Sequence, residues 1–138
     1  MNEERLIAER IAFWTAFKEA APEIGIEPGG GWEKTIGLAI DGNVRVTLSL
    51  SQDKSSVYLV GRSDKARIWI SANQDGIARR LRTTPGAASG EADKGRWFRK
   101  DNKKACFTVR RQWPEAIRWL RAQYATFSKA VQELEAGQ

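Results

Sequence analysis

Apolar residues recur three and four apart over residues 3–20, where Leu6, Ile7, Ile11, Phe13, Trp14 and Phe17 form one stripe among charged residues and alanines. That spacing predicts an amphipathic helix within 1–21. The run "APEIGIEPGGGW" then ends it, because Pro22, Gly25, Pro28 and three successive glycines do not continue a helix. From Lys34 the period becomes two. Ile36, Leu38 and Ile40 alternate with Thr35, Gly37 and Ala39, "DGN" at 41–43 signals a hairpin turn, and Val44, Val46, Leu48 and Leu50 alternate with Arg45, Thr47 and Ser49. A third strand is expected around Ser56 to Arg62. "KARIWIS" at 65–71 reads as a further strand or as the lead into a helix, so 34–71 is taken as β-rich. Residues 72–82 read as a short helix with a glycine inside it.

"TTPGAASGEADKG" is small, polar and glycine-rich, hence a loop. A β-hairpin is expected over 96–111, with strands near Arg96–Lys100 and Ala105–Arg110 joined by "DNKK". Over 114–135, Pro114 suits a first helical turn, and Trp113, Ile117, Leu120, Tyr124, Phe127 and Val131 recur at four, three, four, three and four. The repeat is too short for a coiled coil and predicts a helix laid across a sheet. Together these elements predict a single α+β domain over 1–138: an antiparallel sheet of about five strands packed by an N-terminal helix, a short middle helix and a long C-terminal helix.

The 138 residues, 41% of them hydrophobic, suffice for one core. No apolar run reaches the ~20 residues that span a bilayer, and the acidic start "MNEERLIAER" is unlike a signal peptide. A cytoplasmic protein with no membrane partner is expected, and the single Cys106 fits a reducing compartment. Charge is uneven. The chain carries +6 overall, with −4 over residues 1–33, +10 over the remainder, and a cationic peak between Arg79 and Arg111. Such asymmetry favours a polyanionic or acidic partner.

Three stretches carry a family resemblance: "AFWTAF" at 12–17, "GWEKTIGLAI…VRVTLSL" from Gly31 to Leu50, and "WPEAIRWL" at 113–120 with Phe127 beyond it. Together they resemble a bacterial and archaeal domain family of unknown function that often follows PD-(D/E)xK-nuclease-like segments and also occurs alone. The resemblance covers nearly the whole chain and implies an α+β fold in a setting of nucleic-acid metabolism or defence. Its motifs are packing motifs and supply no catalytic residue. This chain departs from the family's pattern at 83–95, which is richer in Gly and Ala, and shows no nuclease-like segment before the domain.

Several chemistries are removed by residue type. With no histidine and one cysteine, Ser-His-Asp and Cys-His sites and ordinary zinc sites cannot be assembled. Asp101-Asn102-Lys103 imitates the acid-x-Lys of a nuclease, but it falls at an expected turn, and its upstream acid, Asp93, falls in a loop. "PGGGWEK" at 28–34 follows a helix and opens a strand, the reverse of a phosphate loop, so it reads as a hinge. No enzyme activity, metal or cofactor is expected.

What remains is a basic surface with rings in it. Alternation places Ile68 and Ile70 inward and Arg67 and Trp69 outward, while either Trp97 or Phe98 of "GRWFRKDNKK" turns to the core. An open face carrying Arg and Trp suits single-stranded nucleic acid, with rings stacking on bases at ~1 to 3 kcal/mol each and cations meeting phosphates. The expected phosphate contacts are Arg79, Arg80, Arg82, Arg96, Arg99, Lys100, Lys103 and Lys104, with Arg67 beside them and Trp69 or Trp97 as stacking partners. The alternative is a protein-interaction module, an inhibitor or adaptor docking an acidic protein surface, since Arg and Trp also anchor such interfaces.

Overall fold

In the computed structural model, which describes residues 2–83 and 96–137, the period-two stretch folds as an antiparallel meander. Its strands are β1 (Glu33–Ala39), β2 (Val44–Leu50) and β3 (Ser55–Gly61). A fourth strand, β4 (Arg96–Asn102), pairs antiparallel with β3, and the sheet order is β1-β2-β3-β4. The helices are α1 (Glu3–Ala20), α2 (Asp64–Ala72), α3 (Gln74–Leu81) and the long α4 (Trp113–Ala136). The fold is α+β with one open sheet, and its described strands number four where about five were expected.

Alternation sets the two faces of the sheet. Val44, Val46, Leu48 and Leu50 are buried, as are their partners Val57 and Leu59, and α4 lies across β1, β2 and β3 on that side. Along α4 the apolar seam behaves as its spacing predicts: Leu120, Phe127 and Val131 are fully buried, and Trp113, Ile117 and Tyr124 pack at the margin of the core.

The glycine hinge earns its residues by contact with α1. Arg10 Nε donates to the Gly30 carbonyl and Trp14 Nε1 to that of Gly31, while the Arg10 guanidinium stacks 3.8 Å from the Trp32 ring centre. A Cβ on Gly30 would stand 2.8 Å from Ile7 Cγ2, so only glycine lets the loop lie this close to the helix.

Three expectations are corrected. First, residues 64–72 are helical, not part of a β-rich stretch. Ser63 caps α2 by accepting from the Ala66 N–H at 3.1 Å, and the helical period buries Ala66, Trp69 and Ile70 while Ile68 is 69% exposed. Second, the strand expected near Ala105–Arg110 is absent, so 96–111 is not a hairpin. Phe107 drops into the core edge-on to Trp32 at 5.7 Å, its carbonyl accepts from Trp113 Nε1, and a short 3₁₀ turn at Arg110–Gln112 leads into α4. Third, β4 does not alternate cleanly. Val57 pairs with Lys100 but Leu59 with Trp97, so Tyr58 faces both Phe98 and Arg99 across a β-bulge. Phe98 sits there at φ 60°, a left-handed value usually given to glycine, with its ring fully buried. The loop expected from residue 83 lies, beyond 83 itself, outside the described residues.

Candidate nucleic-acid interface

The strands present a second face, turned away from α4. Arg45, Thr47 and Ser49 of β2 lie there as alternation predicts, beside Thr35 and Glu33 of β1 and Ser56, Tyr58 and Val60 of β3. Across the bulge, β4 adds Arg96, Arg99 and Asp101. Tyr58 is the centre of this face and only 2% exposed. The Arg96 and Arg99 guanidiniums stand over its ring, 5.6 and 5.8 Å from the centre, and its hydroxyl donates to the Glu33 carboxylate. Burial, then the hydrogen bond to Glu33, pushes the phenol well above its ordinary pKa, so Tyr58 stays a neutral donor.

A second set of bonds fixes the far end of the face. Arg99 Nε donates to Asp101 Oδ1 at 2.9 Å, the Ser56 hydroxyl donates to the same oxygen, and Thr35 and Thr47 share a 3.0 Å bond. Burial raises the Asp101 carboxyl, but the bonds from Ser56 and Arg99 and the Arg99 charge outweigh it and hold the group below its usual value. Beside Tyr58, a cleft of about 160 Å³ is lined by Glu33, Tyr58, Val60, Arg62 and Arg96.

From this face the cations continue around the sheet edge. Among the described strands β4 lies at the sheet edge, and Lys100 projects toward the helix side opposite Val57. There it meets Arg82, the residue that ends α3 at φ 54°. Lys100 is held below the ordinary lysine value, first by burial and then by the Arg82 charge. Arg79 and Arg80 are exposed in the last turn of α3. Among the described residues, no carboxylate forms an ion pair with Arg79, Arg82 or Lys100, whereas Arg110 is paired with Glu9, Arg118 with Glu115 and Arg121 with Glu23.

The expected site residues thus separate. Arg96 and Arg99 share the face turned away from α4. Arg82 and Lys100 meet at the edge. Lys103 and Lys104 are exposed on the turn after β4, where the Lys104 N–H is held by Asn102 Oδ1 at 2.9 Å, and Arg80 lines a shallow hollow with Thr126, Lys129, Ala130 and Glu133. Arg67 lies on α2, bonded to Asp64 at 2.6 Å and to the Gly61 carbonyl at 3.0 Å. Trp69 is not on the sheet at all; α2 turns it into the core at 9% exposure. Trp97 packs beside Phe98 at 6.3 Å against the core, and its buried Nε1 meets no acceptor among the described residues. Trp69 is withdrawn into the core, and Trp97 is half-buried against it.

Sequence reasoning missed Glu33, Tyr58 and Arg62. Tyr58 carried a readable signal, an aromatic out of phase with Val57 and Leu59 in "SSVYLVG". Among the described residues, no cluster of acids or Cys is arranged to hold a metal ion, and no helix is long and apolar enough to cross a membrane. No family model matches the chain, nor does any curated protein or solved structure. The family resemblance therefore rests on its three sequence motifs.

Proposed function

We propose that the chain is a non-enzymatic binding module that grips nucleic acid by its phosphate backbone along the strip formed by β4 and the end of α3. The observation that carries this reading is Lys100 on β4, partly buried within electrostatic reach of Arg82 at the end of α3, with no carboxylate among the described residues in ion-pair contact with either. Charges on an edge strand also discourage sheet-to-sheet pairing, and one lysine on β4 would serve that purpose. Edge protection gives no reason to bring Lys100 within electrostatic reach of a second cation from α3. A phosphate beside them does, because its charge would offset both the burial and the Arg82 repulsion that disfavour the ammonium. With Trp69 in the core and Trp97 half-buried against it, the grip is electrostatic rather than stacked, so affinity falls steeply with salt.

The test replaces Arg79, Arg82 and Lys100 together with glutamine. Affinity for oligothymidylate or duplex DNA at ~0.1 M salt should fall at least about tenfold, with a shallower salt dependence and an unchanged melting temperature. Unchanged affinity would place the contact elsewhere. The same cations suit an acidic protein surface, and that reading replaces this one if neither nucleic acid shifts the wild-type chain in a mobility assay while a defined stoichiometric protein complex is recovered.

A further inference from the structure

The cleft beside Tyr58 has a composition that a phosphate grip does not account for. Arg62 and Arg96 line it, but so does Glu33, which would repel a phosphate. One Glu33 oxygen accepts from Tyr58, and the other, Oε1, has no bond to any described residue. At about 160 Å³ the cleft is below the ~300 Å³ at which pockets for drug-sized ligands begin, so it admits one ring or one small group. Val60, 6% exposed, and Tyr58, 2% exposed, complete its lining. Arginine donors and a carboxylate acceptor around one small cleft suit a flat heterocycle that carries both donors and acceptors on its edges.

Resting on the nucleic-acid reading above, we propose that this cleft receives one unstacked guanine of a single strand whose backbone lies on β4. Guanine places two adjacent donors, N1–H and the N2 amino group, on one edge, matching the Glu33 carboxylate. Its O6 and N7 acceptors lie on the other side, the pair that an arginine such as Arg62 meets with two donors. Thymine has a single N–H set between two carbonyl oxygens, and a carboxylate repels both. Adenine and cytosine bring an amino donor but set an acceptor ring nitrogen beside it. Single strands are read in this way, by a splayed base held on its edges while cations hold the backbone.

The experiment compares a ~12-nucleotide oligothymidylate with versions carrying one central guanine, adenine or cytosine, against wild type and Glu33→Gln. Wild type should prefer the guanine oligomer by roughly tenfold, the size of one good two-donor contact. Glu33→Gln keeps an oxygen for Tyr58 but presents an amide N–H₂ to the base. It should lose the preference while binding plain oligothymidylate at least as well as wild type. Equal wild-type affinity for all four oligomers, or a preference for adenine or cytosine, overturns the guanine cleft and leaves the backbone reading standing. A guanine preference that survives Glu33→Gln overturns the placement in this cleft. Failure to bind any of the four overturns the function proposed above, and this inference with it.

Discussion

Phe98 concentrates two opposed demands in one residue. Its ring is fully buried, which favours a large apolar side chain, while its backbone at φ 60° favours glycine. Removing the ring should cost about 3 to 5 kcal/mol. The left-handed backbone adds a second effect: Phe98→Gly should be more stable than Phe98→Ala by about 1 kcal/mol, the reverse of their usual order within a strand. Urea midpoints of the two variants decide this; equal midpoints would mean the bulge relaxes once the ring is gone. Asp101 makes a prediction in pH. Its folded-state pKa is depressed by Ser56 and Arg99, so its stabilisation is fully present above the unfolded value near 3.8 and is lost as pH falls through the lower folded value. Thermal melts of Asp101→Asn should therefore show a smaller loss of stability below about pH 4 than wild type does. Lys100 runs the other way. Burial and Arg82 disfavour its charge, so Lys100→Gln should hold or raise the melting temperature while weakening nucleic-acid binding. A fall in both would assign Lys100 to structure alone.

At the scale of elements, the passage from β3 into α2 is the tightest joint. A Cβ on Gly61 would lie 2.7 Å from Arg67 Cγ and 3.2 Å from its Cα and N, so the strand end and the helix pack backbone to backbone. Gly61→Ala should cost about 1 to 3 kcal/mol by prising α2 from β3, measurable as a lower melting temperature with the same spectrum. This joint also shows where the sequence was legible. The meander was written in plain alternation, and α4 in its seam. In "KARIWIS", Ile68 and Ile70 keep a two-residue period while Ala66 and Ile70 keep a four-residue one, and both patterns fit the letters. Ser63 with Asp64 after it was the arbiter, a helix cap followed by an acid in the first turn. "ACFTV" alternates as well as any strand here. Phe107 nevertheless finds a better home beneath Trp32 and Trp113 than beside β4, a choice set by rings far away in the chain. The bulge that turns Trp97 and Phe98 together toward the core depends on Phe98 taking a glycine-like conformation, which no local pattern announces.

Seen whole, the molecule segregates charge as well as layers. The acids of residues 1–33 reside mostly on α1 and the turn after it, where Glu9, Glu23 and Glu27 engage Arg110, Arg121 and Lys18. Arg79, Arg82 and Lys100, at the end of α3 and on β4, form no ion pair with a carboxylate among the described residues. A polyanion would therefore approach from the β4 edge and be turned away from α1, and binding should weaken linearly on a logarithmic salt axis, with a slope near 0.7 for each single-strand phosphate contacted.

The order of the strands adds a matter of timing. β1, β2 and β3 are joined by short turns and can close early, whereas β4 must wait for α2, α3 and the segment after them, and among the described strands it then pairs only with β3, through a bulged ladder. Strands closed late and held on one side reopen first, so amide hydrogens of β4 should exchange faster than those of β2, through an opening that leaves the meander intact. The strip proposed to grip a polyanion would then be assembled last and lost first, and a bound strand should slow exchange in β4 more than anywhere else in the sheet.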